Sequence, residues 1–106
     1  MDMEVTSETI DEEIKNSDKP VFVLFWASWC TACKRSEVTV KEIEKERDDV
    51  KVIEANVDKN SDLRDRFDIQ GVPTFMIFNG TKEIDRRVGA QAKRQLEDMI
   101  DEVLES

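Results

Sequence analysis

The stretch Val21-Phe22-Val23-Leu24-Phe25-Trp26-Ala27-Ser28-Trp29-Cys30-Thr31-Ala32-Cys33-Lys34 decides how this chain folds. Its first six residues are apolar without a break, the pattern of a strand covered on both faces of a sheet. After the cysteines a charged stretch continues to about Arg47, with Val40 and Ile43 as its apolar marks and Glu37/Lys41 as an i,i+4 ion pair. That pattern is a helix with one wet face. A buried strand therefore passes through a short turn into a helix, and both cysteines sit at the junction.

Toward the N-terminus, Asp18-Lys19-Pro20 ends a short helix carrying Ile10 and Ile14, for which Ser7 is the candidate cap. A short first strand is placed near Met3 to Val5. Downstream, Val50 to Val57 is β-branched enough for a second core strand, and Ser61 is a candidate cap for a short helix through Leu63 and Phe67. Gly71-Val72-Pro73 breaks the chain. Thr74 to Phe78, Asn79-Gly80 and a strand around Ile84 to Val88 then read as a β-hairpin, because Asn-Gly suits a turn that needs positive φ. The final helix carries Leu96, Met99, Ile100, Val103 and Leu104 on one face. The order β-α-β-α-β-α-β-β-α is an α/β fold: a central mixed sheet with helices on both faces, parallel in its first part and antiparallel at the hairpin.

A chain of 106 residues with 39% apolar content suits a single domain over residues 1–106. Its formal charge of −9 opposes phosphate backbones and anionic lipid, so no nucleic acid and no membrane partner is expected. No stretch approaches the roughly 18 apolar residues a membrane helix needs. Met1-Asp2-Met3-Glu4 is acidic where a signal peptide is basic and then apolar, which makes the cytoplasm the expected location. The simplest oligomeric state is a monomer.

The two cysteines are too close in sequence to staple distant parts of a fold, so their purpose is chemical. With no histidine in the chain, Cys-His nucleophile pairs and His-bearing zinc sites are excluded. Cys30 ends a strand-to-helix turn, where free N–H groups and the positive end of the helix dipole favour a thiolate. The thiolate is the attacking species in disulfide exchange, which makes Cys30 the expected nucleophile. One helical turn brings Cys33 within disulfide reach, as the resolving cysteine. A metal site is the alternative, but structural zinc takes four ligands and this chain offers two sulfurs, so a zinc or iron-sulfur site would have to be shared between chains. Metal: none and bound cofactor: none are the expectations, the redox-active Cys30–Cys33 disulfide serving alone.

Phe25-Trp26-Ala27-Ser28-Trp29-Cys30-Thr31-Ala32-Cys33-Lys34, Ala55-Asn56-Val57-Asp58, Gly71-Val72-Pro73-Thr74 and Val88-Gly89-Ala90 resemble the signatures of the thioredoxin family, in its order and spacing. The resemblance spans about Val21 to Leu104. It implies protein-disulfide reduction, with disulfide-containing proteins as substrates and a thioredoxin reductase, NADPH- or ferredoxin-linked, as recharging partner. It also implies that Pro73 is cis and faces the cysteines, that Val72 offers its backbone to an extended substrate, and that Trp29, Val57, Val88, Gly89 and Ala90 form an apolar rim. Trp26 is expected to pack beside the active-site loop. Gly71, Gly89, Val57 and Val88 also have plain structural readings, as turn glycines and strand residues.

The sequence departs from the family at several places. Thr31-Ala32 replaces Gly-Pro between the cysteines, and Ala32 restores an N–H that is expected to face the Cys30 sulfur and stabilise its thiolate. Leu24 stands where the family carries a buried aspartate, and Glu54 where it often carries a lysine. Glu54 is then either a proton carrier behind the cysteine pair or a solvated strand residue. Val38 stands where the family often has a kinking proline, so the helix after Cys33 should run straighter. Lys34 and Arg35 read as solvated helix charges, Lys34 being a candidate for tuning the sulfurs. Two rival functions keep the fold: a binding or assembly module docking through Trp29, Val72 and Pro73 with incidental cysteines, and an electron-delivering domain of a membrane-linked reductase.

Overall fold

The computed structural model describes residues 3–105. Nine elements follow in the order expected from the sequence: β1 (Glu4–Val5), α1 (Ile10–Lys15), β2 (Val21–Trp26), α2 (Thr31–Glu46), β3 (Lys51–Asn56), α3 (Asp62–Arg66), β4 (Thr74–Asn79), β5 (Lys82–Val88) and α4 (Lys93–Glu105). The strands form one sheet in the spatial order β1-β3-β2-β4-β5. β1 and β2 run parallel to β3, while β4 is antiparallel to β2 and to β5.

β2 is buried along Val21–Phe25 because strands and helices enclose it on every side, as its unbroken apolar run requires. Alternate residues feed two cores. Val21, Val23 and Phe25 join Ile10, Ile14, Leu63 and Phe78 on one face, and Phe22 and Leu24 join Val40, Ile43, Phe75 and the buried side of α4 on the other. Leu96, Met99, Ile100 and Val103 supply that side, each burial stabilising by about 1.5–3 kcal/mol. Leu104, assigned to the same stripe from its spacing, is 38% exposed and lies at the stripe's margin. α2 runs for 16 residues through Val38.

Both expected serine caps are corrected. α1 begins after Thr9, and Ser7 instead donates to Asn60 and Asp62, tying the segment before α1 to the start of α3. Ser61 does sit at the N-cap of α3, but its backbone is already helical and its side chain makes no cap bond. The loop before α3 is shaped by buried Asn56, whose Oδ1 accepts from the Asp58 and Lys59 N–H groups at 2.8 and 3.2 Å.

The hairpin turn lies one residue later than Asn79-Gly80. Asn79 pairs with Lys82, leaving Gly80-Thr81 as the loop, with Gly80 at φ 65°. Positive φ at the first loop position alone is the requirement of a type II′ turn, so glycine carries the geometry and Asn79 remains in the strand. A register shift between Ile77 and Phe78 bulges β5 at Ile84.

Candidate active site

Cys30 is the N-cap of α2, with extended backbone (φ −90°, ψ 110°) before the first helical residue, Thr31. Its sulfur takes the place of a capping side-chain oxygen and accepts the Cys33 N–H at 3.2 Å. Among the described residues that amide is the one hydrogen-bonded to the sulfur, so the extra donor expected from Ala32 is corrected to the amide of Cys33 itself. The helix geometry explains it, since the third helical N–H is one that an N-cap side chain can reach. Thr31 is exposed and Ala32 is half-buried against the core.

Cys30 and Cys33 are joined as a disulfide, with Cα atoms 5.3 Å apart. Both residues are buried, Cys30 at 6% exposure and Cys33 at 2%. The two differ only by degree: the turn folds Cys30 against the loop before β4, where its sulfur lies 3.7 Å from the Val72 carbonyl oxygen. In the reduced pair a Cys30 thiol can donate to that oxygen.

The Val72–Pro73 peptide is cis. Thr74, fully buried, anchors this loop by donating its hydroxyl to the Gly71 carbonyl at 2.6 Å. The Gly89 N–H donates to the Pro73 carbonyl at 2.8 Å, joining the end of β5 to the same loop. Gly89 has φ 91°, a conformation costly for any residue with a Cβ.

Around the cysteines, Trp29 is 66% exposed and Val88 52% exposed, unusual positions for large apolar side chains. Val72 and Gly89 are half-buried, Ala90 is exposed and Pro73 is buried. Val57 is corrected. Its N–H pairs with the Trp26 carbonyl at 2.9 Å, so it neighbours the site, but its side chain is fully buried in the core and presents nothing to a partner. Trp26 is half-buried between both cores, and its indole N–H donates to Glu4 Oε2 at 3.3 Å.

Glu54 is 6% exposed, which overturns its reading as a solvated strand residue. β3 is an inner strand, and Glu54 pairs in register with Leu24, on the α2 side of the sheet. Nearby on α2, Lys41 has its pKa raised, first by the hydrogen bond it donates to Glu37, then by the Glu37 charge, with Glu54 and Glu4 adding to the same field. Lys34 and Arg35 are exposed on α2, as expected for solvated helix charges.

The reading from sequence missed one feature. A cleft of about 360 Å³ opens beside the disulfide, lined by Trp26, Ala27, Ser28, Cys33, Lys34 and Glu37. Its signal was present in the spacing, because Glu37 lies four residues after Cys33 and therefore one turn along the same helix face.

A cysteine pair closed across the first turn of a helix, under a proline loop and an apolar rim, defines a thiol-disulfide exchange protein. The family model for thioredoxin matches residues 2–102. The chain is 39% identical over 97 residues to the thioredoxin of Rickettsia prowazekii, covering 91% of this chain and 92% of that one. It is 36% identical over 102 residues to thioredoxin 1 of Nostoc sp., covering 95% of each chain, and 36% identical over 104 residues to the thioredoxin of Griffithsia pacifica, covering 97% and 95%. The chain belongs to the thioredoxin family. It is a thiol-disulfide oxidoreductase with the protein-disulfide reductase activity of that family. Among the described residues no cluster of three or more metal-ligating side chains occurs, and no helix is long and apolar enough to cross a membrane.

Proposed function

We propose that Cys30 is the nucleophile and Cys33 the resolving cysteine of a cycle that reduces disulfides in protein partners. The reduced Cys30 thiolate attacks one sulfur of the partner disulfide, forming a mixed disulfide and releasing the other sulfur as a thiolate. Cys33 then attacks Cys30, the partner leaves with its second thiol free, and the two electrons have passed from the pair to the partner. The observation that carries this assignment is the Cys33 N–H directed at the Cys30 sulfur, since the same donor stabilises a Cys30 thiolate at the helix N-terminus. The lower exposure of Cys33 supports the division of labour.

Trp29, Val72, Pro73, Val88, Gly89 and Ala90 form the docking rim in this reading, with the Val72 backbone available to an extended partner segment. A thioredoxin reductase, NADPH- or ferredoxin-linked, recharges the pair, and the protein works as a cytoplasmic monomer of one domain. Insulin reduction by dithiothreitol tests the cycle. Wild type is expected to accelerate it while Cys30→Ser and Cys33→Ser do not; equal acceleration by all three would mean that the cysteines are incidental and the fold serves as a binding module.

A further inference from the structure

When Cys33 attacks the mixed disulfide it must first lose a proton, and its surroundings restrict where that proton can go. Cys33 is 2% exposed, and Leu24, in the central strand, is fully buried and carries no proton-accepting group. Cys33 does border the cleft beside Trp26, which is large enough to hold several water molecules. The cleft is lined by two charged side chains, Lys34 and Glu37, and the carboxylate among them is Glu37.

We propose that Glu37, acting through water in this cleft, accepts the proton of Cys33 during resolution of the mixed disulfide. Three observations support it. Glu37 lies one turn beyond Cys33 on the same face of α2, so the two side chains are neighbours. Glu37 is held in place by Lys41 Nζ at 3.2 Å from its Oε1. Its side chain is 30% exposed, so a proton collected there can pass to bulk solvent. The charged groups around it are Lys34 and Lys41 on α2, with Glu54 of β3 and Glu4 of β1 beyond Lys41. Trp26 closes the wall of the cleft, fixed by its bond to Glu4.

The step balances as a proton transfer coupled to exchange. The Cys33 S–H proton moves through water to the Glu37 carboxylate, the Cys33 thiolate forms a bond to Cys30 Sγ, and the Cys30–partner S–S bond breaks. The partner sulfur leaves with the electron pair, and Glu37 returns its proton to solvent. This inference rests on Cys33 being the resolving cysteine, and the experiment separates the two ideas.

The reduced protein is mixed with Ellman's reagent in a stopped-flow instrument. Attack by Cys30 releases one thionitrobenzoate, and attack by Cys33 on the resulting mixed disulfide releases a second. Loss of the second release in Cys33→Ser confirms the resolver; its persistence there overturns that assignment whatever Glu37 does. For Glu37→Gln the first release should be unchanged, and the second should slow about tenfold near neutral pH, with a steeper fall as pH decreases. Glu37→Asp should recover part of the rate. An unaltered second phase in Glu37→Gln across the pH range overturns the proposal, as does a loss found instead in Glu54→Gln.

Discussion

Leu24 of β2 and Glu54 of β3 are register partners in adjacent parallel strands, and both are buried. The position where the family's signature carries an acid is apolar here, and a carboxyl group lies one strand away. The core behind the cysteines is therefore arranged around a leucine. Its chemistry differs from that of a chain with aspartate at the same place.

Restoring the acid in this background should be costly. Leu24→Asp removes a fully buried side chain and places a second carboxyl beside Glu54, so a loss of about 3 kcal/mol or more is expected near neutral pH. Burial and the neighbouring acid raise the new group's pKa, so the loss should be smaller near pH 5, where more of it is neutral. Urea unfolding at the two pH values checks this, and a variant as stable as wild type would contradict it.

Trp29 and Val57 separate docking from packing. Trp29→Ala is expected to change stability by less than about 0.5 kcal/mol while raising KM for a protein disulfide about fivefold. Val57→Ala should do the reverse, costing about 1–2.5 kcal/mol and leaving KM unchanged, because its side chain is in the core. Thermal unfolding and steady-state kinetics on the two variants read both quantities.

Arg47 ties the end of α2 to α4 through Asp101 at 2.7 Å and to the following loop through Asp49 at 3.0 Å. The hydrogen bond from Arg47 holds the Asp49 carboxyl below its ordinary pKa. A depressed folded-state pKa gives a contribution present above the unfolded value, about 4, and lost as pH falls through the folded value. Arg47→Met should therefore destabilise the protein near pH 7, modestly because Asp49 is exposed, and this gap should narrow below about pH 4. Denaturation midpoints of the pair at several pH values give the comparison.

Asp68 follows α3 with φ 52°, and its helix end closes by Ile69 N–H to Arg64 carbonyl at 2.8 Å and Asp68 N–H to Asp65 carbonyl at 3.4 Å. This is a Schellman ending with aspartate in the left-handed position. Arg86 caps it from β5, donating to the Phe67 and Asp68 carbonyls at 2.8 and 2.9 Å. Asp68→Gly is expected to stabilise by up to about 1 kcal/mol, read as a raised midpoint in urea; a lower midpoint would show that the Asp68 side chain matters more than its backbone strain.

The strand-turn-helix at residues 21–46 was legible because an unbroken apolar run, a sulfur at the turn and a wet helix each carry a local signal. Local signals also failed in identifiable ways. Ser7 and Ser61 have the chemistry of caps, but Ser7 is drawn to Asn60 and Asp62, a tertiary contact invisible in sequence. Asn79-Gly80 marked the hairpin, yet the pairing of Asn79 with Lys82 moved the turn by one residue. The solvated reading of Glu54 rests on the usual exposure of charged residues, and the sheet order that buries it depends on β1 pairing across fifty positions. The Cys33–Glu37 spacing marks one wall of the cleft, and the other wall needs the packing of Trp26, which no spacing rule supplies.

The central claim is that Cys30 attacks first and Cys33 resolves. Cys33→Ser and Cys30→Ser, each reduced and mixed with an excess of a disulfide-bonded peptide, can be quenched in acid and mapped by mass spectrometry. The account predicts a stable peptide adduct on Cys30 in Cys33→Ser, formed far faster than any adduct on Cys33 in Cys30→Ser. An adduct on Cys33 appearing at the same rate or faster would contradict it.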